Sequence, residues 1–99
     1  MATGKIDMPI PKYIPMQGGS LGSTSMYNFV RSASTPQGIY LRYVQNSPDN
    51  PSGGAIATAI ITKPTDNGDY SSVLLFSNGT AKVSAQLAPS ATAFTWTNL

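Results

Sequence analysis

Apolar and polar residues alternate with a period of two through much of the second half of the chain. The clearest case runs from Asp69 to Leu87, where two alternating runs flank Asn78-Gly79. Such alternation sends successive side chains to opposite faces of a strand. Asn-Gly tolerates the two consecutive positive φ angles of a two-residue type I′ turn, whose twist matches that of paired strands. A tight turn sets Ser77 opposite Thr80, and counting backwards sets Phe76 against Ala81, Leu74 against Val83, Ser72 against Ala85 and Tyr70 against Leu87. That face is mostly apolar and is the expected core face. The other face pairs Lys82 with Leu75, Ser84 with Val73 and Gln86 with Ser71, so it is expected to be partly covered.

The same reading extends to the rest of the body. Met26 to Arg31 reads as a short strand, and Thr35-Pro36-Gln37-Gly38 as a turn with proline at its second position. Ile39 to Val44 is rich in β-branched and aromatic residues and reads as a strand with Ile39, Leu41 and Tyr43 towards the core. Asn46 to Gly54 is a loop, and Ala55 to Thr62 a strand of small residues that lets another layer approach closely. Pro64 to Asp69 is a turn, and Thr92 to Thr97 a last strand with Phe94 and Trp96 sharing one face. No ten-residue window supports an amphipathic helix. The expected class is therefore all-β, a small antiparallel β-sandwich or barrel-like knob over residues 23–99.

The first 22 residues read differently. Pro9, Pro11 and Pro15 fix φ, remove amide donors and push the preceding residues towards extended geometry, so an extended arm is expected. Met8, Ile10, Tyr13, Ile14 and Met16 make it apolar, which calls for a surface to lie on, in its own domain or on a neighbouring subunit. These five residues are the candidate docking residues. Gly18-Gly19-Ser20-Leu21-Gly22-Ser23 reads as the joint between arm and body.

Composition removes most chemistry. The chain has 99 residues, no histidine and no cysteine, and its four acidic residues are all aspartates. That leaves no common general base, no thiolate nucleophile or metal ligand, and no glutamate to close a calcium loop. Asp66 and Asp69 share one solvated turn, where a turn-stabilising role is expected rather than an acid/base pair. The glycine pairs lack the strand-to-helix context and lysine of a phosphate loop. No enzyme, metal or cofactor is expected. Charged residues are 10 % of the chain, where about 25 % is ordinary. Lys5, Lys12, Arg31, Arg42, Lys63 and Lys82 are scattered singly, which argues against nucleic acid in spite of a net charge of +2. No apolar run has the length of a signal peptide or membrane span, so synthesis in a cytoplasm without membrane insertion is expected. A surface of neutral polar residues suits a subunit packed against others.

Thr35-Pro36-Gln37-Gly38-Ile39-Tyr40, the loop Asn50-Pro51-Ser52-Gly53-Gly54, the hairpin and the ending Phe94-Thr95-Trp96-Thr97-Asn98-Leu99 resemble the small β knob domains of bacteriophage and pyocin tail fibres. The resemblance covers about Ser34 to Leu99. In layout, an apolar arm joined to a β knob is similar to phage decoration (cement) proteins and minor fibre subunits. It implies a virion protein that docks on capsid or tail proteins through its arm, often as a homotrimer. The competing expectation is a receptor- or carbohydrate-binding knob for a host surface glycan, with Tyr40, Tyr43 and Trp96 as stacking residues and the loop Asn46 to Gly54 as the reader.

Overall fold

The computed structural model describes residues 18–84 and 86–99. They form one helix, α1 (Met26–Arg31), and strands β1 (Gly38–Val44), β2 (Ala57–Lys63), β3 (Ser72–Ser77), β4 (Thr80–Ser84) and β5 (Trp96–Asn98). The strands make a single five-stranded sheet in sequential order, β1-β2-β3-β4-β5, with every neighbouring pair antiparallel. The all-β antiparallel class holds. The layer packed on the sheet is α1 together with the segment from Leu87 to Phe94.

The β3–β4 register is the one expected, with Ser77 opposite Thr80, Phe76 opposite Ala81 and Leu74 opposite Val83. The turn differs from type I′. Gly79 has φ +77° while Asn78 is not in the positive-φ region, so only the second central residue is left-handed.

The faces are the reverse of those expected. Val73 (1 % exposed) and Leu75 (0 %) are buried, whereas Phe76 is 43 % exposed and Tyr70 47 %. In β1 the core-side residue is Val44 at 0 %, while Ile39 (38 %) and Tyr43 (43 %) lie on the outer face. The cause is what packs on the sheet. On the Val73/Leu75 side the facing residues are small: Ala57 and Ala59 in β2, Ser71 before β3 and Ser84 in β4, all buried. That leaves room for Met26 and Val30 of α1, both 0 % exposed, and a sheet face built of small side chains admits a helix more closely than one built of Phe and Leu.

The segment Met26 to Arg31 is this helix, not a strand. The Ser25 hydroxyl accepts from Asn28 N at 2.9 Å, and the Asp49 carboxylate accepts from Met26 N and Tyr27 N, each at 2.9 Å. The side chain of Ser25 and the carboxylate from the 46–54 loop thus satisfy three amides at the helix start. Six residues are too few to leave a helical period in the sequence, but they bring Met26 and Val30, four apart, onto one side.

A β-bulge completes the core. Tyr70 N donates to Leu87 O at 2.7 Å, but Leu87 N donates to Ser71 O at 2.8 Å, so two residues oppose one. Tyr70 carries φ +67°, the single non-glycine residue in that region among those described. At this bulge Leu87 lies on the core side, 2 % exposed, while its partner Tyr70 stays outside.

Gly19 to Leu21 is tied to the body. Gly19 O accepts from Tyr43 N at 2.6 Å, and Leu21 N donates to Tyr43 O at 3.1 Å, a parallel pairing on the free edge of β1. Leu21 is 7 % exposed and belongs to the core. The extended arm expected upstream, with Met8, Ile10, Tyr13, Ile14 and Met16, lies outside the described residues.

Candidate functional site

Among the described residues the covering elements all lie on one side, so none of them covers the other face of the sheet, whose central residues Leu41, Ile60, Leu74 and Val83 are half-buried by their neighbours. Cross-strand pairing arranges it in rows. The central row runs Leu41, Ile60, Leu74, Val83, Thr97 across all five strands. The next runs Tyr43, Thr58, Phe76, Ala81 and is extended by Leu99, whose N donates to Ala81 O at 3.0 Å. A third begins Ile39, Thr62, Ser72. None of these strand positions is charged. Ile39, Tyr43 and Phe76 are exposed, as is Leu99 at the rim. Four strand spacings of about 4.8 Å by about five residues of 3.3 Å give a face of roughly 300–400 Å². Thr58, Thr62, Ser72 and Thr97 interrupt that area, so its apolar part is smaller and lies within the range ordinary on a monomer's surface.

The charges missing from this face are held elsewhere. Arg31, at the end of α1, donates through Nη1 to Asp69 Oδ1 (2.6 Å) and Asn67 O (3.1 Å). Through Nη2 it donates to Ala88 O and Ala91 O, both at 3.1 Å. Its guanidinium lies 5.4 Å from the Tyr27 ring centroid, so one planar cation joins α1, the 65–69 turn and the 88–91 segment. The hydrogen bond that Arg31 donates to Asp69 raises the Arg31 pKa above its ordinary value, against the opposing effect of burial. Lys63 is 1 % exposed, and its Nζ donates to Ser32 O (2.8 Å) and Thr35 O (2.6 Å) at the exit of α1. Burial pushes its pKa below the usual lysine value, with Asp66 acting weakly the other way. Both cations are structural ties.

The aromatic residues nominated from sequence are not brought together. Tyr40 lies on the core side of β1, with its ring edge-on to Phe29 (centroids 5.0 Å apart, 88°) and its hydroxyl donating to Pro36 O. Arg42 stacks over both rings, 5.0 Å from Tyr40 and 5.3 Å from Phe29. Trp96 sits on the opposite edge strand, partly buried against the core with its ring centroid 6.0 Å from that of Phe94. Tyr43 alone of the three is on the open face, with its hydroxyl bonded to Gln45 Oε1 at 2.9 Å.

The 46–54 loop uses its polar groups internally. Asn50, 8 % exposed, donates to Gln45 O and Ala55 O, Ser47 Oγ donates to Thr24 O, and Asp49 caps α1. Among the described residues no three His, Cys, Asp or Glu side chains are grouped to hold a metal ion. The residues that sequence reasoning passed over are Leu74, Val83, Ile60 and Phe76, assigned to the core or left without a role. Their signal was the absence of any charge at alternate positions on four successive strands.

Compared with protein-family models, with curated proteins and with solved structures, the chain matches none.

Proposed function

We propose that this chain is a non-enzymatic structural subunit of a bacteriophage particle, a decoration or minor fibre protein. It attaches to capsid or tail proteins through its apolar arm and its open sheet face, in several copies with a trimer as the working stoichiometry. The observation that carries the reading is the uncharged apolar face beside which the chain enters at Gly18 and Gly19. A face of this kind gains about 25 cal/mol for each Å² buried and gives water nothing in return. Supporting it is the chemistry at hand: the described cations are tied to carbonyls, carboxylate or aromatic rings, and the nearby polar loop is closed on itself.

The test is the protein content of particles banded from a lysate of the phage that encodes the chain. The reading expects the chain in the particle band at a fixed ratio to a major virion protein. Recovery wholly in the soluble fraction would reject it.

A receptor-binding knob is the second reading, and one observation favours it. Tyr43 and Phe76, each 43 % exposed, flank Thr58 in one cross-strand row, about 10 Å apart by strand spacing, a flat aromatic pair onto which sugar rings can stack. Glycan-array binding lost on Tyr43→Ala in a folded protein would select this reading over the first.

A further inference from the structure

We propose that Asn78-Gly79, the tip of the β3–β4 hairpin, is a site of spontaneous covalent modification, where the Asn78 amide is lost as ammonia and a carboxylate takes its place. The second Asn-Gly pair of the chain, Asn67-Gly68, is protected by the fold. Nothing in this depends on the chain belonging to a particle.

The chemistry needs an asparagine whose following residue leaves its amide nitrogen unshielded, and glycine, with no side chain, does so best. Gly79 N gives up its proton to hydroxide, its electron pair forms a bond to Asn78 Cγ, and the Cγ–Nδ2 bond breaks with release of ammonia. Water then adds to either carbonyl carbon of the resulting cyclic imide and opens it. Opening at the side-chain carbonyl gives aspartate. Opening at the main-chain carbonyl gives isoaspartate, whose main chain runs through the former side chain and is longer by a methylene. In sum, an amide and water are consumed and a carboxylate and ammonium are formed, with no oxidation or reduction.

The chain contains two Asn-Gly pairs, and each remaining asparagine precedes a residue that has a side chain. At the hairpin tip both residues are exposed, and a Cβ added at Gly79 would meet nothing within 4 Å. Among the described residues Gly79 N donates to no carbonyl, and the Asn78 side chain has no hydrogen-bond partner. Nucleophile and amide are therefore free to meet. The contact that closes the hairpin, Ser77 opposite Thr80 with their hydroxyls 2.9 Å apart, lies outside the ring that forms.

The 65–69 turn holds the same pair of residue types still. Asn67 Oδ1 accepts from Thr65 Oγ1 at 3.0 Å and from Asp69 N at 3.1 Å, which fixes the direction of the side-chain amide. Gly68 N, the nitrogen that would attack, donates to Thr65 O at 3.3 Å. Gly68 is itself buried against α1, where an added Cβ would stand 2.4 Å from Val30 O, and Asn67 O accepts from Arg31 Nη1 at 3.1 Å. Ring closure at Asn67 must break the Gly68 N bond, re-aim a held amide and shift a backbone wedged against the helix. Hydrogen bonds lost at one site and not at the other slow it by about tenfold or more.

The consequence is confined to the hairpin tip. A carboxylate there removes one unit from the formal net charge of +2, two residues along the chain from Phe76. Isoaspartate also lengthens a two-residue turn whose geometry depends on its length.

The test holds the full-length protein at mildly alkaline pH, folded and, in parallel, unfolded in guanidinium chloride. Tandem mass spectrometry locates each amide-to-acid conversion over time, and an isoaspartyl methyltransferase with a labelled methyl donor counts isoaspartate. The expected result in the folded protein is conversion at Asn78 faster than at Asn67 by about tenfold or more. In denaturant, where only the shared Asn-Gly context remains, the two rates converge. Asn78→Gln is expected to abolish methyl acceptance by the folded protein while Trp96 fluorescence stays that of the folded chain. Equal rates at the two sites in the folded protein overturn the inference, as does conversion of both in denaturant with none at Asn78 in the folded chain. Methyl acceptance that persists in folded Asn78→Gln overturns it too.

Discussion

Leu75 and Phe76 are adjacent in β3 and separate the two faces of the sheet in one comparison. Leu75 is 0 % exposed, with Ala59 and Lys82 as its cross-strand partners, and Phe76 is 43 % exposed. Truncating a fully buried leucine to alanine costs about 2–5 kcal/mol, from lost transfer energy plus the cavity left behind. The Phe76 ring has no covering layer among the described residues; its removal forfeits a partial burial and the cross-strand contacts with Thr58 and Ala81, about 1 kcal/mol in all. In a domain this size, 1 kcal/mol moves Tm by about 4–8 °C. Leu75→Ala is therefore expected to lower Tm by at least about 10 °C, and Phe76→Ala by less than that. Trp96, the sole tryptophan, lies partly buried beside Phe94, so its fluorescence through a urea titration reports loss of the core directly. The two variants are compared at equal slope of stability against urea. If Phe76→Ala costs as much as Leu75→Ala, the covered face is the other one and the reasoning about the open surface fails.

Two further substitutions probe how the covering layer is held. At Gly68 (φ +87°) an added Cβ would stand 2.4 Å from Val30 O and 2.8 Å from Val30 C. Gly68→Ala is expected to cost about 3 kcal/mol or more by urea titration, since both the left-handed backbone and the helix it touches must give; a cost within about 0.5 kcal/mol would contradict the close approach of the 65–69 turn to α1. The buried Lys63 ammonium has a folded-state pKa below its unfolded value. Between those two values the unfolded chain holds a proton that the folded chain has released, so this group's contribution to stability rises as pH rises through that window. The stability difference between wild type and Lys63→Met is expected to widen in favour of wild type over the same interval; a difference that shrinks would contradict the burial of Nζ.

Much of the sheet was legible in the sequence. Asn78-Gly79 and the alternation on either side of it specified the β3–β4 register pair by pair, because turn chemistry and the two-residue repeat act locally. Which face would be buried was not, because that depends on what comes to lie on the sheet. Counting apolar bulk favoured Phe76 and Leu74 over Val73 and Leu75, yet the small residues Ala57, Ala59, Ser71 and Ser84 decided the matter by leaving room for α1. The helix was itself hidden, since six residues carry no period and its start depends on Asp49, 22 and 23 residues away from the amides it caps. The left-handed Tyr70 was equally hidden, as nothing in that residue type announces a bulge. The open face became visible only after register and burial were known together, although its constituents stand at alternate positions of the sequence.

The account rests on the open face as the means by which the chain adheres. Particle occupancy measures this most directly: the ratio of this chain to a major virion protein in banded particles, for wild type and for Leu74→Asp at the centre of the face. A carboxylate placed in a dry apolar contact costs several kcal/mol. The expected result is wild type at a fixed ratio and Leu74→Asp reduced more than tenfold, with its Trp96 fluorescence still that of the folded protein. Equal occupancy by the two chains would contradict the claim.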